Sequence, residues 1–544
     1  MKKIFMSLII FLACVLVFAL GMGVVVMIAP GVNMFGVEYI RSTLDAKTIS
    51  KSVQNADAKC ENIIVNSHEI DVNVNFVQSH TLTAEYIHNY RGFANEPKEP
   101  ELKLESANKD IVISTVEYDK FLLGGHVNEN CCLNINVPMY YKGSITIISE
   151  KSDVIVKGHN ASINNLSIKT NGTPEIKSNL IVNTLSLNTT YKIVNLNENV
   201  KVNKNLIFDV TGGSFTVANP VGGDIYYKSN SGTLNFVSCN DLNFSSQSGK
   251  IIANINQVAP IVLGNCNIKT SGDITLASVG KDANIENKNG DIKIGSVDGL
   301  YSGNYLLTSS RGDCTLIGTF LSSVNLETKS GNLNADNIAD LTFKTKRGAL
   351  ILNSCEVLLV EAGIGDIKVS NILADAKISA TSGKIDLGLE DYDSIIANCK
   401  VVTKSGDVDI CDIQGALYDI QTRSGDIELE NNYKAIATIS LKSRTGSIEA
   451  DLVNGITNIE SRGEIKVSVY DFNGAVSIVG NNKDVKVKVL KDGFYDLESV
   501  KKNIEKAPGL GIVSKKYKTS TSTTDPNKIL KVYTKWGGIE VYRG

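Results

Sequence analysis

One phrase recurs along most of this chain, and its period limits what the chain can fold into. It reads Val324-Asn-Leu-Glu-Thr-Lys-Ser-Gly-Asn-Leu333, then Leu341-Thr-Phe-Lys-Thr-Lys-Arg-Gly-Ala-Leu350. Later copies are Tyr418-Asp-Ile-Gln-Thr-Arg-Ser-Gly-Asp-Ile427 and Ile439-Ser-Leu-Lys-Ser-Arg-Thr-Gly-Ser-Ile448. The turn glycines fall at Gly232, Gly249, Gly272, Gly290, Gly312, Gly331, Gly348, Gly365, Gly383, Gly406, Gly425, Gly446 and Gly463, at intervals of 17 to 23 residues. A period this steady over so many copies predicts a solenoid.

Parity predicts how each copy sits. Before the turn, Val324, Leu326 and Thr328 share one face, as do Tyr418, Ile420 and Thr422, and Ile439, Leu441 and Ser443. After it the alternation resumes in Leu333 and Ala335, Ile427 and Leu429, and Ile448 and Ala450. Period two on both sides of a glycine predicts two short strands per coil, each with an inward apolar face. The glycine itself is expected to supply a positive φ. A coil of about 18 residues loses roughly 1–2 kcal/mol of backbone entropy per residue. Its four or five buried aliphatic side chains return only about 1.5–3 kcal/mol each. One coil cannot stand alone, so neighbours must share hydrogen-bond ladders and a core. The expected fold is therefore all-β, an elongated β-solenoid.

Composition agrees. Gly (45 of 544 residues) is common while Pro (9) and Trp (1) are scarce, which suits many turns between short strands. A formal net charge of -3 argues against nucleic acid as a partner. A stack needs covers at both ends, or its open edges would pair with other chains. Residues 51–158, with strands at Ile63–Val65, Ile70–Val74, Ile111–Ser114 and Ile145–Ile148, read as an N-terminal cap and first coils. Residues 159–490 read as the repeats, and 491–544 as a C-terminal cap. That cap combines a helix-like stretch, a Ser/Thr-rich loop at Thr519–Thr524 and a final strand carrying Trp536.

The N-terminus carries a different signal. Lys2 and Lys3 precede an apolar run from Ile4 to Ala29, broken only by Ser7, Gly21 and Gly23. As a helix it would be roughly 39 Å long, more than the ~30 Å hydrocarbon core requires. A secretory h-region is usually only about 7–15 residues, so a retained transmembrane signal anchor over 1–30 is preferred to a peptide cleaved near Ala19-Leu20-Gly21. Residues 31–50 read as a linker. The two lysines favour a cytoplasmic amino end and a chain otherwise outside the cell membrane.

The residues also resemble a known family. Ser67-His-Glu-Ile-Asp-Val-Asn-Val74, Leu133-Asn-Ile-Asn-Val-Pro138 and the units Ser271-Gly-Asp-Ile274, Ser405-Gly-Asp-Val408 and Ser424-Gly-Asp-Ile427 are similar to those of bacterial β-strand-repeat proteins that carry the label adhesin. The function of that family is unknown. The similarity runs from about Ile63 to Val489 and implies a right-handed β-helix at the cell envelope.

Candidate chemistry is sparse. Outward positions just before the turns form a possible basic column, Lys329, Lys346, Lys404, Arg423 and Arg444. In-register stacking would set these charges about 4.8 Å apart, suited to an anionic envelope glycopolymer or lipid head groups. Across the turns lie Asp386, Asp407, Asp409, Asp426, Glu428 and Glu449, so the simpler reading is a solvated face laced with weak ion pairs. The post-turn aspartates Asp273, Asp291, Asp313, Asp366, Asp407 and Asp426 invite a calcium reading. They lack the nonapeptide spacing of calcium β-rolls, and turn chemistry is preferred. The five histidines (His68, His80, His88, His126, His159) have no metal-ligand spacing. Of ten cysteines, Cys239, Cys266, Cys314, Cys399 and Cys411 lie in strand-like segments and read as buried small hydrophobes, and Cys131-Cys132 is the one close pair. No catalytic residue, metal ligand or cofactor is assigned. The expected function is an adhesin or envelope-binding module, possible partners being envelope glycopolymer or another surface protein. A structural stalk or self-assembling scaffold is the rival, and a β-helix polysaccharide-active enzyme is a third reading.

Overall fold

The computed structural model describes residues 15–17, 47–55, 60–92, 101–107, 109–115, 126–190, 193–253, 261–388, 394–431, 436–491, 493–502, 504–507, 510–518 and 528–544. The chain divides into two units, Met1–Val237 and Ser238–Gly544. Each is built from parallel β-coils.

In the second unit the pre-turn strands stack in register. Val324, Leu341, Leu358, Ala376, Cys399, Tyr418 and Ile439 are successive rungs of one ladder. Leu333, Leu350, Ile367, Ile385, Val408, Ile427, Ile448 and Ile465 are rungs of the post-turn ladder. Every inward residue that parity selects is buried, including the polar Thr328, Thr422 and Ser443. The period-two pattern thus becomes a continuous apolar interior.

The coils have more sides than two strands supply. Strands such as Cys314–Ser330, Leu333–Arg347 and Leu350–Ile364 run on through the corner opposite the glycine. Between the two predicted faces lies a third ladder, Phe320, Ile338, Cys355 and Ile372, all buried. Register shifts flank it, and Gly318, at φ +100°, marks the bend in the first of these strands, whereas Leu333–Arg347 turns the same corner with no Gly or Pro.

The Ser-Gly-Asp phrase holds coil to coil. A Cβ placed on Gly425 would lie 2.0 Å from the Gly406 carbonyl oxygen, and one on Gly406 would lie 2.0 Å from that of Gly383. Gly312 and Gly383 have φ of +109° and +126°, but Gly406 and Gly425 lie outside the left-handed region. The expected positive φ is therefore only part of the reason for glycine. The general one is that the preceding coil's backbone occupies the space of a side chain.

The flanking residues act between coils too. The Asp273 carboxylate accepts from the Asp291 backbone N–H, Asp291 from that of Asp313, and Asp313 from that of Asn332 (3.3, 2.9 and 2.8 Å). Asp407 and Asp426 repeat this toward Asp426 and Ser447 at 2.9 and 2.6 Å. The local turn bonding expected of these aspartates is replaced by a staple to the next coil, because strand stacking brings that N–H closer. The buried hydroxyls of Thr422 and Ser443 donate to the Gly406 and Gly425 carbonyls.

Both chain ends depart from sequence order. In the first unit Asn62–Ser67 lies between Asp110–Thr115 and Ser144–Ser149, parallel to both. Asp71–Val77 likewise lies between His126–Pro138 and Val154–Gly158. The outer coil is covered by antiparallel strands, Leu102–Ala107 on one side and Leu82–Gly92 then Lys47–Asn55 on the other. In the second unit the last coil threads back inward. Ile529–Thr534 lies between Val476–Gly480 and Phe494–Ser499, and Ile539–Arg543 between Val485–Val489 and Ile504–Ala507. The displaced coil carries the antiparallel strands Lys516–Lys518 and Leu510–Ser514. Reversed strands at an edge oppose continued parallel addition.

Two expectations for the C-terminus are corrected. Among the described residues of 491–544 there are strands and turns but no helix, since ladder pairing of Phe494–Ser499 overrides its local propensity. Trp536 sits in the turn between the last two strands, not in a strand, with Lys501 Nζ 5.0 Å from its ring centroid. The Thr519–Thr524 loop lies outside the described residues. So does the Ile4–Ala29 run apart from Val15–Val17, which are helical. Among the described residues no helix is long and apolar enough to cross a membrane.

Asp484 secures the inserted coil. Its Oδ1 accepts from the Gly538 N–H at 2.7 Å and from Lys502 Nζ at 3.0 Å. Those two bonds, the Gly538 one foremost, hold its carboxyl below the usual carboxylate pKa. A depressed folded pKa contributes stability that is present above the unfolded pKa and lost as pH falls through the folded one. Asp484→Ala is expected to lower the stability of the C-terminal end by about 1 kcal/mol at neutral pH, because the side chain is half exposed and its ion pair screened. Thermal melts at about pH 7 and below about pH 4 check this: the gap between wild type and variant should close on acidification.

Candidate functional site

The five predicted basic positions are all exposed, and they form two runs on the pre-turn corner of the second unit. Lys329 and Lys346 occupy adjacent coils. The next two coils present Gly363 and Thr381 at that position. The second run is Lys404, Arg423 and Arg444, on consecutive coils. Arg462 extends it by one coil, since Ser443 pairs with Ser461. Sequence counting missed Arg462 because its turn is one residue shorter: Arg423 and Arg444 stand two before their glycines, whereas Arg462 stands next to Gly463. Counting from the buried Ser461 recovers it.

The acids across the turn form a matching column, with Asp386, Asp409, Glu428 and Glu449 in register on consecutive coils. They do not neutralise the cations. Asp386 and Asp409 share Lys384, at 2.9 and 3.4 Å, and Glu449 pairs with Lys466 at 3.2 Å. Asp407 and Asp426 hold backbone N–H groups of the next coil. Burial, then the charges of Asp409 and Glu449, raise the pKa of Glu428. Among the described residues Lys404, Arg423, Arg444 and Arg462 have no acidic partner within ion-pair distance. The ion-pair-laced face expected here is therefore absent at these four positions.

The other candidates resolve as structure. The post-turn aspartates are inter-coil staples, and among the described residues no group of three His, Cys, Asp or Glu is placed to hold a metal ion. Cys239, Cys266, Cys314 and Cys399 are buried. Burial pushes the Cys314 and Cys399 thiols up to about 12. Cys411 differs from the expectation: it is half-buried, its Sγ 3.3 Å from Asp409 Oδ1. Cys131 and Cys132 are not bridged. His88 is buried between Tyr86 and Tyr90. His68 faces Glu150 at 3.6 Å, and His80 lies tilted against the Tyr140 ring. His159 is exposed, and the side chain of His126 lies outside the described residues.

Stacked coils stapled by glycine, serine and aspartate define a parallel β-solenoid with a surface charge column. Over residues 280–400 and 337–489 the chain matches the Toastrack family, Toastrack DUF4097, whose function is unknown. The family resemblance read from the Ser-Gly-Asp phrases holds over that span, which starts well after Ile63. Two solved structures are also similar. One is described as a putative cell adhesion protein from Clostridium sporogenes, at 10% identity over 92% of this chain and 100% of that one, with a TM-score of 0.14. The other, a putative adhesin from Parabacteroides distasonis, has 11% identity over 71% of this chain and 98% of that one, with a TM-score of 0.16. No curated protein matches this chain.

Proposed function

We propose that this chain is an adhesin-type surface protein, anchored by its N-terminal apolar run, whose solenoid binds an anionic envelope glycopolymer. The observation that carries this reading is the run Lys404, Arg423, Arg444 and Arg462, four unpaired cations on consecutive coils. Strand stacking sets them about 4.8 Å apart, so a flexible polyanion can meet several at once. Each exposed contact is weak, and the affinity comes from their number. The anchor is supported by Lys2 and Lys3 ahead of Ile4–Ala29. The antiparallel covers at the chain ends weigh against a scaffold that grows by edge pairing.

Co-sedimentation of the full-length chain with immobilised teichoic acid tests the reading, with uncharged dextran as control. Binding is expected at low salt and lost as the Debye length shrinks toward about 3 Å near 1 M salt. Reversing Arg423, Arg444 and Arg462 to Glu together is expected to weaken it at least tenfold, about 1.4 kcal/mol. Binding that ignores both salt and the triple change would exclude the column. No binding at all would leave the stalk.

A further inference from the structure

We propose a second binding site, a cleft in the first unit that takes an acidic saccharide. The cleft is open to solvent and encloses about 660 Å³. It lies where the inserted first coil meets the next one, between Cys60–Asn62, Tyr140–Ser144 and the outward residues of the following coils. That volume falls within the range of small-ligand sites, about 300–1,000 Å³.

Three features of its lining suit a sugar. Tyr140 is a large aromatic left 47% exposed at the cleft, with its ring tilted against His80 at 5.5 Å. An exposed ring so held offers an apolar face to the C–H side of a pyranose at little entropic cost. Asn164 and Asn183 also line the cleft and form an amide ladder. Asn183 Nδ2 donates to Asn164 Oδ1 at 3.1 Å, and Asn203 continues it. The ladder leaves the Asn164 amide N–H groups, the first in the row, to donate to ligand oxygens. Lys142 is exposed at the cleft and has no ion-pair partner among the described residues. The cleft's one carboxylate, Glu61, is already paired with Lys109. With Glu61 engaged by Lys109, Lys142 is the charged group of the lining left to meet a ligand, and it favours a sugar bearing a carboxylate over a neutral one.

The cleft is also rigid where it needs to be. Tyr141, beside the exposed Tyr140, is buried, and its hydroxyl lies 2.9 Å from the carbonyls of Glu61 and Ser144. That contact ties the Tyr140–Lys142 turn to the inserted coil. The lining is thus fixed before a ligand arrives.

Calorimetric titration of the full-length chain with tetragalacturonate and with neutral maltotetraose tests the proposal. Tetragalacturonate is expected to bind more tightly. Tyr140→Ala should weaken it at least tenfold, and Lys142→Gln should remove the preference for the acidic sugar while binding persists. Both positions are exposed, so an unchanged melting temperature shows that the fold survives. The variant with Arg423, Arg444 and Arg462 changed to Glu should keep a Tyr140-dependent site for tetragalacturonate, whatever share the basic column adds in the wild type. Equal affinity for the two sugars, indifference to Tyr140→Ala, or loss in the arginine variant would each overturn the cleft, the last by moving the sugar to the basic column.

Discussion

Gly425→Val is expected to destabilise the second unit by about 3 kcal/mol, the upper end of what overpacking usually costs. A Cβ there meets the Gly406 carbonyl oxygen at 2.0 Å, its carbon at 2.5 Å and the Asp407 nitrogen at 3.0 Å. All are backbone atoms, so no rotamer change relieves the clash. Separating the coils would release it, but only by stretching the hydrogen bonds that join Val408 to Ile427 and the Thr422 hydroxyl bond to Gly406. Because Gly425 lies outside the left-handed φ region, the loss is steric and not torsional. Hydrogen exchange checks it. Protection should fall in the coils on either side of residue 425, while Ser424→Ala, which loses only a 3.3 Å hydroxyl contact, should leave it nearly unchanged.

Deleting residues 528–544 should have a larger effect than removing a terminal repeat usually has. In an ordinary solenoid the last coil has one neighbour, and its loss exposes one face. Here the last coil has two, and its removal opens both Val476–Val489 and Phe494–Ala507. Leu530, Val532, Ile539 and Val541 are essentially fully buried, and their removal forfeits roughly 6–12 kcal/mol of apolar burial. The truncated chain is expected to lose protection throughout 476–507 and to aggregate through its unpaired parallel edges. Native-like melting and a monodisperse truncated chain would show that the displaced coil closes onto Val476–Gly480 directly.

The parts of this fold that were legible in the sequence are those written in local period. Alternation selected the buried Val324, Leu326, Tyr418 and Ile420 because a strand's side chains must alternate whatever lies beyond it. The third ladder through Phe320 and Cys355 was not legible, since Gly318 marks the bend in one strand only and Leu333–Arg347 turns the same corner with no Gly or Pro. Glycine was placed correctly for an incomplete reason: sequence shows the turn but not the neighbouring coil that fills the Cβ space. The out-of-order coils at Asn62–Val77 and Ile529–Arg543 leave no local mark, because their pairing depends on segments far along the chain. The basic column was legible as residue types. Its break at Gly363 and Thr381 could have been counted from the glycines, whereas Arg462 required the register. The cleft at Tyr140 was not legible, because its lining comes from residues 60 to 183 and is assembled by the inserted coil.

The proposed binding face is the pre-turn corner of four consecutive coils, where an anionic glycopolymer would meet Lys404, Arg423, Arg444 and Arg462. Hydrogen-exchange mass spectrometry of the full-length chain, with and without teichoic acid at low salt, locates that face. Protection is predicted at the turns 403–407, 422–426, 443–447 and 461–464, and it should vanish at high salt. Protection elsewhere with these four turns unchanged, or no protection at a polymer concentration that co-sediments the chain, would contradict it.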